Sequence, residues 1–191
     1  MNKIFDPNKR HVLNNDERRK ILPVEAVLSF LNIGADDDFL DIGAGTGYFF
    51  LPALKNSSAN RKNIALDISE TMLNELRQEL SHSKVNTELY HGDAISIPVP
   101  ANSLDKILLA FVFHEFDNPK NYLNELKRVL KSEGEIGILE WAAKKTNGGP
   151  PMHERLSEEK LQSILMKNGW KFVRHKTINE QNYMHIYRID N

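Results

Sequence analysis

The sequence predicts an α/β fold: a doubly wound, mostly parallel sheet covered by helices and closed by an antiparallel pair of strands. Three observations predict it. Short apolar runs alternate with amphipathic stretches between Phe39 and Trp141, the order that helical crossovers between parallel strands require. Three alternating glycines, Gly43, Gly45 and Gly47, follow the first apolar run and open a helix, an arrangement that brings backbone amides close to a ligand. The carboxylates Asp41, Asp67 and Asp93 stand at or just beyond the carboxyl ends of successive strands, the edge at which such sheets bind ligands.

The elements follow in order. Residues 1–22 read as an N-terminal extension with one helical turn around Asp16 to Lys20. Pro23 opens a helix with Val24, Val27, Leu28 and Leu31 on one face, ended by Asn32 and Gly34. Asp36 to Asp38 turn the chain into the first strand. Pro52 falls in the first turn of the next helix, where proline is tolerated. After a loop from Asn56 to Asn63, Ile64 to Asp67 form a second strand. Ser69 caps a helix striped by Met72, Leu73, Leu76 and Leu80. Thr87 to Tyr90 form a third strand, and Pro98, Pro100 and Asn102 mark a loop. Leu104 to Val112 give the fourth strand. Asn118 and Pro119 start a helix that buries Tyr122, Leu123, Leu126, Val129 and Leu130, with Gly134 beyond its end. Glu135 to Trp141 are the fifth strand. A glycine- and proline-rich loop over 144–155 leads to Ser157, which caps a helix turning Leu161, Ile164 and Leu165 inward until Gly169. Lys171 to Ile178 and Tyr183 to Ile189 form a hairpin.

Composition sets bounds. The 191 residues suit a single domain over 1–191 with a full core, and 40% hydrophobic with 27% charged residues is ordinary for a soluble protein. Net charge is −1, so no global field draws the chain to nucleic acid or to an anionic membrane, and neither is expected as a partner. A basic cluster at Lys9, Arg10, Arg18, Arg19 and Lys20 is interleaved with acids and reads as a solvated face. No apolar run approaches a membrane span and Met1 to Pro7 hold no leader core, so a cytoplasmic location is expected. There is no cysteine, which removes disulfides, thiolate metal sites and cysteine nucleophiles.

The glycine turn discriminates between ligands. A dinucleotide fingerprint needs a third glycine where Tyr48 stands, to close helix against strand. The pattern here is G-x-G-x-G, two residues after a carboxylate. Asp41 would repel a pyrophosphate and attract a cation. S-adenosylmethionine, with a sulfonium and an ammonium group, suits that field better than a nicotinamide dinucleotide.

Phe39 to Phe49 resemble the first motif of class I S-adenosylmethionine-dependent methyltransferases, and later landmarks resemble the family in order. Leu66-Asp67-Ile68-Ser69 resembles its ribose-binding acid, Gly92-Asp93-Ala94 its adenine turn, and Ser103 to Ala110 its fourth-strand motif. Arg128 to Lys131 and on to Ile138 resemble its following helix and fifth strand. The chain is most similar to the subgroup containing ubiquinone and menaquinone C-methyltransferases. The resemblance implies a Rossmann-like seven-stranded sheet of order 3-2-1-4-5-7-6. It also implies site roles. Gly43, Ala44, Gly45, Gly47 and Tyr48 form the turn along the methionine moiety, and Asp41 helps bind its ammonium. Asp67 accepts both ribose hydroxyls and Ile68 flanks the adenine. Asp93 accepts from the exocyclic amine, the Ala94 amide donates to the ring, and Ala110 and Phe111 lie near the transferable methyl.

Methyl transfer from a sulfonium is an in-line displacement in which the protein aligns the acceptor and excludes water. A base is required only where the nucleophile must lose a proton. His114, with Glu115, is the candidate; a packing or orienting role competes with it. His153-Glu154 is a second such pair, with a solvated loop as its plain reading. Neither pair extends to H-E-x-x-H, since Asn118 and Ser157 occupy the last position, so a zinc hydrolase is not expected and no metal is assigned. Ala110 to His114 lack the Asn/Asp-Pro-Pro-aromatic motif of amino-methylating nucleic-acid enzymes, leaving a small-molecule acceptor. Loops 1–22, as a lid, and 142–156 would choose it. Phe5, Tyr48, Phe111, Phe113, Phe116 and Trp141 are candidates to wall its pocket, some of them as plain core. Two readings compete with a methyltransferase: a non-catalytic cofactor-binding sensor or partner subunit, and an NAD-dependent oxidoreductase. A homodimer is common at this size, and nothing in the sequence decides it.

Overall fold

Seven strands form one sheet in the order β3-β2-β1-β4-β5-β7-β6 in the computed structural model, which describes residues 21–146 and 148–190. The expected helical turn at Asp16 to Lys20, most of the segment 1–22 and Phe5 lie outside those residues. Strands β1 (Phe39–Ile42), β2 (Asn63–Asp67), β3 (Thr87–His91), β4 (Leu104–Ala110) and β5 (Leu130–Trp141) run parallel. β7 (Asn182–Ile189) pairs antiparallel with both β5 and β6 (Trp170–Thr177), which closes the sheet as expected.

Helices cover the two faces unequally. On one side α4 (Pro119–Val129) and α5 (Glu158–Lys167) pack Leu123, Leu126, Val129, Leu161 and Leu165 onto Leu40, Ile42, Ile107, Ile138, Tyr183 and Tyr187. On the other, α1 (Val24–Leu31), the short α2 (Phe50–Ala53) and α3 (Glu70–Glu79) bring Val27, Leu31, Phe50, Leu73 and Leu76 against Phe39, Ala65, Leu108 and Leu139. Each side chain fully buried in these layers contributes about 1.5–3 kcal/mol. β1 and β2 are buried along their whole length, as central parallel strands must be. Local chemistry sets several boundaries. Asn32 ends α1 in the left-handed region (φ 57), the Ser69 hydroxyl accepts the Met72 amide, the Ser157 hydroxyl accepts the Lys160 amide, and Gly169 (φ 71) follows α5.

Four expectations need correction. The fourth strand stops at Ala110 rather than Val112, because Phe111 adopts φ 62 and leaves the ladder. Leu130 begins β5 instead of ending α4; the helix passes directly into the strand, whose register against β4 shifts between Leu104 and Lys106. Asn118 precedes α4 without a side-chain cap bond, so Pro119 at the first helical position is the signal that held. Ile164 is only half-buried on α5.

Candidate active site

The turn after β1 is tied to the end of β2. The Leu66 carbonyl accepts the amides of Gly43 (2.8 Å) and Ala44 (3.2 Å), and Asp67 Oδ2 accepts the Gly45 amide at 2.7 Å. Gly43, Gly45 and Gly47 all have positive φ, at 69, 55 and 90°. A Cβ on Gly43 would run into Val112, and one on Gly47 would meet Leu76 at 2.6 Å and Leu51 at 2.9 Å. The loop after β4 thus rests against the glycine turn. Ala44 is buried, and the Tyr48 hydroxyl donates to the Leu22 carbonyl at 2.9 Å while its ring meets Phe49 edge-on.

Asp41 is buried at 2% exposure, and its Oδ1 has no hydrogen-bond partner among the described residues. Burial, reinforced by the negative charge of Asp67, holds its carboxyl well above the usual carboxylate range. A buried acceptor left bare at a glycine turn is the kind of exception that a ligand explains.

Asp67 binds protein rather than standing open: besides the Gly45 amide, its Oδ1 accepts the Ser69 amide at 2.8 Å. Each oxygen retains a lone pair for a further donor. Burial raises the Asp67 carboxyl, and the Ser69 and Gly45 amides work against that shift. Ile68 beside it is left 47% exposed, and Ile95, past β3, 49%. Asp93 is exposed and accepts from the Tyr122 hydroxyl at 3.2 Å, whereas Ala94 is buried. His91, exposed, points one ring nitrogen at the Ile68 carbonyl, 3.0 Å away, and the other at Glu70, 3.4 Å away.

Ala110 closes β4, half-buried, and the Phe111 amide donates to Leu139 O at 2.8 Å before the chain turns away. A left-handed phenylalanine is strained by about 1–3 kcal/mol, a cost that clusters at functional sites. The kink places Phe113 to Glu115 in one 3-10 turn that carries His114 over the end of β5. There His114 Nδ1 lies 2.9 Å from Glu140 Oε2, and the His114 amide donates to Glu140 Oε1 at 3.1 Å. The Glu140 side chain is fully buried and that of His114 is 7% exposed. Burial pushes the imidazole down, but its bond to Glu140, with the charges of Glu140, Glu115 and Glu154, outweighs burial and raises it above 6.5. Glu140 was missed in the sequence, although an acid inside the apolar run Ile136 to Trp141 was its signal.

His153 is 80% exposed and meets Glu154 at 3.6 Å, in keeping with a solvated loop. Arg155, two residues on, is buried and organises that loop. Its guanidinium donates to the carbonyls of Pro150, Ala142, Lys144 and Gly148 and to the Thr146 hydroxyl, and it lies over the Trp141 ring at 5.5 Å. Trp141 in turn contacts Phe111, ring centroids 5.3 Å apart. Phe113 and Phe116 are core residues, not pocket walls: Phe113 is 1% exposed, and Phe116 stacks on Tyr122 at 3.8 Å.

The family model for a methyltransferase domain matches residues 40–138, from β1 through β5. The chain belongs to the methyltransferase domain family. The same α/β sheet recurs in an S-adenosylmethionine-dependent methyltransferase from Aquifex aeolicus, 29% identical, with a TM-score of 0.91 over 97% of this chain and 100% of that one. Demethylmenaquinone methyltransferase of Oceanobacillus iheyensis is 30% identical over 111 residues, 58% of this chain and 47% of that protein. A ubiquinone/menaquinone biosynthesis C-methyltransferase of Roseobacter denitrificans is 30% identical over 120 residues, 62% of this chain and 48% of that protein. This methyltransferase-domain chain thus spans about half the length of the curated relatives it matches. The [4+2]-cyclase SpnF shares the fold (TM-score 0.73, 87% of this chain and 80% of that one) at 16% identity. Among the described residues, no helix is long and apolar enough to cross a membrane.

Proposed function

We propose that the chain binds S-adenosylmethionine at the carboxyl ends of β1 to β4 and transfers its methyl group to a small-molecule acceptor. The observation that carries the reading is Asp41: a buried oxygen without a partner among the described residues, beside a turn whose glycines all take positive φ. A cationic amino-acid group satisfies that oxygen, and a pyrophosphate does not. When bound, the cofactor supplies an electrophilic methyl group. The rest falls to the protein. Asp67 fixes the glycine turn through Gly45 and keeps a lone pair on each oxygen for ribose hydroxyls. Ile68 and Ile95, both large, apolar and exposed, suit the faces of a flat ring, and Asp93 suits its exocyclic amine. Ala110 and Phe111, at the strained end of β4, border the transfer position.

His114 is the proton acceptor of this reading, held in orientation by Glu140. With Nδ1 engaged, the free valence of the ring is at Nε2, the pairing that lets a buried carboxylate fix a catalytic imidazole. The loop 142–156, clamped by Arg155 beneath Trp141, forms one wall of the acceptor site, and the whole chain acts as one domain. An aromatic, quinol-like acceptor is supported by the names of the relatives and by the Phe111–Trp141 rim. Net charge of −1 gives no attraction for polyanions, which favours a metabolite.

Thermal-shift titration with S-adenosylmethionine, its demethylated product and NAD tests the cofactor, and radiolabelled methyl transfer to a panel of hydroquinones and metabolites tests turnover. Stabilisation by the first two and label in an acceptor are expected. Stabilisation by NAD alone would overturn the cofactor assignment. Binding without transfer across the panel would make the chain a non-catalytic cofactor-binding protein.

A further inference from the structure

At the far edge of the sheet from the glycine turn, three side chains converge that the methyl-transfer site does not use. His175 on β6 and His185 on β7 are directly opposed across the hairpin, and Glu158 is the first residue of α5, packed over them. Glu158 Oε2 lies 2.9 Å from His185 Nε2 and 3.5 Å from His175 Nδ1, and the three donor atoms all fall within 4.8 Å of one another. We propose that Glu158, His175 and His185 bind a divalent transition-metal ion, zinc by preference, with water completing the shell.

The donor set argues for that class of ion. Two imidazoles and one carboxylate suit zinc, whereas magnesium and calcium demand oxygen shells. Donors placed tetrahedrally at about 2.0–2.1 Å from zinc stand about 3.4 Å apart, so the three need move by only a few tenths of an ångström to about one ångström. The backbone supports the arrangement, since two ligands come from paired strands and the third from a capped helix start.

A second observation concerns what lies behind the ligands. The His185 side chain is 3% exposed, and its Nδ1 sits 2.9 Å from the Tyr187 hydroxyl, itself fully buried. Metal-ligating histidines almost always engage their other ring nitrogen in such a bond, which fixes ring orientation and tautomer. A phenol can serve either tautomer. It donates to Nδ1 while Nε2–H binds Glu158, and accepts from Nδ1–H once the Nε2 lone pair is given to a metal. Phe172 packs edge-on against the same imidazole at 5.3 Å, walling the site on its inner side. His175 is 59% exposed, which leaves an open approach for the ion and for water.

The site would fasten the start of α5, and with it the end of the loop 142–156, to the outer hairpin. Tyr183, two residues before His185, adds a neutral tether, its hydroxyl donating to the Leu156 carbonyl at 2.9 Å.

Isothermal titration of tag-free, chelator-stripped protein with zinc, against a magnesium control, tests the proposal. One zinc per chain, no magnesium uptake and a raised unfolding midpoint with zinc are expected. His175→Ala, at an exposed position, should keep the metal-free midpoint and lose at least tenfold in zinc affinity. Tyr187→Phe should lose about 10–100-fold. A wild-type chain that takes up no zinc stoichiometrically, or a His175→Ala variant that titrates like the wild type, would reduce the three residues to a hydrogen-bonded triad and overturn the assignment.

Discussion

Asp41 carries two opposed demands. Burial, with an oxygen unpartnered among the described residues, destabilises the ligand-free fold at neutral pH, because the folded-state carboxyl is raised above its unfolded value and its ionisation is penalised as pH climbs. The same bare oxygen attracts a cationic ligand. Asp41→Asn is therefore expected to raise the unfolding midpoint of the free protein while weakening S-adenosylmethionine binding tenfold or more. Paired thermal scans and titrations check both signs; a variant that lost stability and kept affinity would remove Asp41 from the cofactor site. His114 gives a second residue-scale test. As a base it must be neutral, and Glu140 holds it charged to a higher pH than a free imidazole, so activity is expected to rise only above about 6.5. Glu140→Gln should move that rising limb to lower pH and lower kcat more than it changes cofactor affinity. An unmoved limb would assign His114 to packing. The sequence named Asp41, Asp67, Asp93 and His114, but not Glu140. Strand-end acids are visible in a linear pattern, whereas a carboxylate within a run of buried residues acquires meaning only through the partner opposite it.

Among the elements, the segment 142–156 depends most on one side chain. Arg155 gathers four carbonyls and a hydroxyl of its own loop, so a cation buried beneath the backbone holds the loop, whose regular structure is one 3-10 turn at Met152–Glu154. Arg155→Lys cannot reproduce a planar fork of donors and is expected to loosen the loop nearly as much as Arg155→Ala, by about 2–4 kcal/mol. Hydrogen exchange should show the loss confined to 142–156, with the acceptor KM raised and cofactor affinity little changed. Glycine and proline marked this stretch as a loop; its internal order was not readable, since carbonyl acceptors leave no trace in a sequence. The end of β4 shows the converse. Val112 looks like strand by composition, yet Phe111 turns left-handed, because the chain must leave the sheet there to pass Gly43 and bring His114 to Glu140.

Across the whole molecule, one buried charge cluster joins four strands of the sheet. Glu135 on β5, 2% exposed, accepts from Lys106 at 2.8 Å, from Arg174 at 3.0 and 3.1 Å, and from Arg188 at 2.9 Å, joining β4, β5, β6 and β7. Burial alone would raise this carboxyl, but bonds from Arg174, Lys106 and Arg188 outweigh it and hold the group down at about 2. The folded state therefore binds fewer protons than the unfolded one between about pH 4.5 and 2, and the stability from the cluster is lost as pH falls through that window. Glu135→Gln is expected to cost about 3 kcal/mol at neutral pH, with the gap from wild type closing in acid. Urea unfolding of both chains across pH 2.5–7 checks it; a pH-independent gap would mean lost packing instead.

By itself the sequence determined the sheet, its hairpin closure, the glycine turn and the acids that face it. These follow from hydrophobic period, capping residues and glycine conformation, which act over a few residues and need no distant partner. Tertiary structure alone decided which distant groups meet: Glu140 under His114, Arg155 under its loop, and Glu158 between two histidines of the outer hairpin. His114 with Glu140 and Glu158 with His185 join residues 26 and 27 positions apart, and Arg155 reaches back across five to thirteen. A carboxylate or an imidazole is committed to a role only when folding removes it from water and sets one particular neighbour beside it.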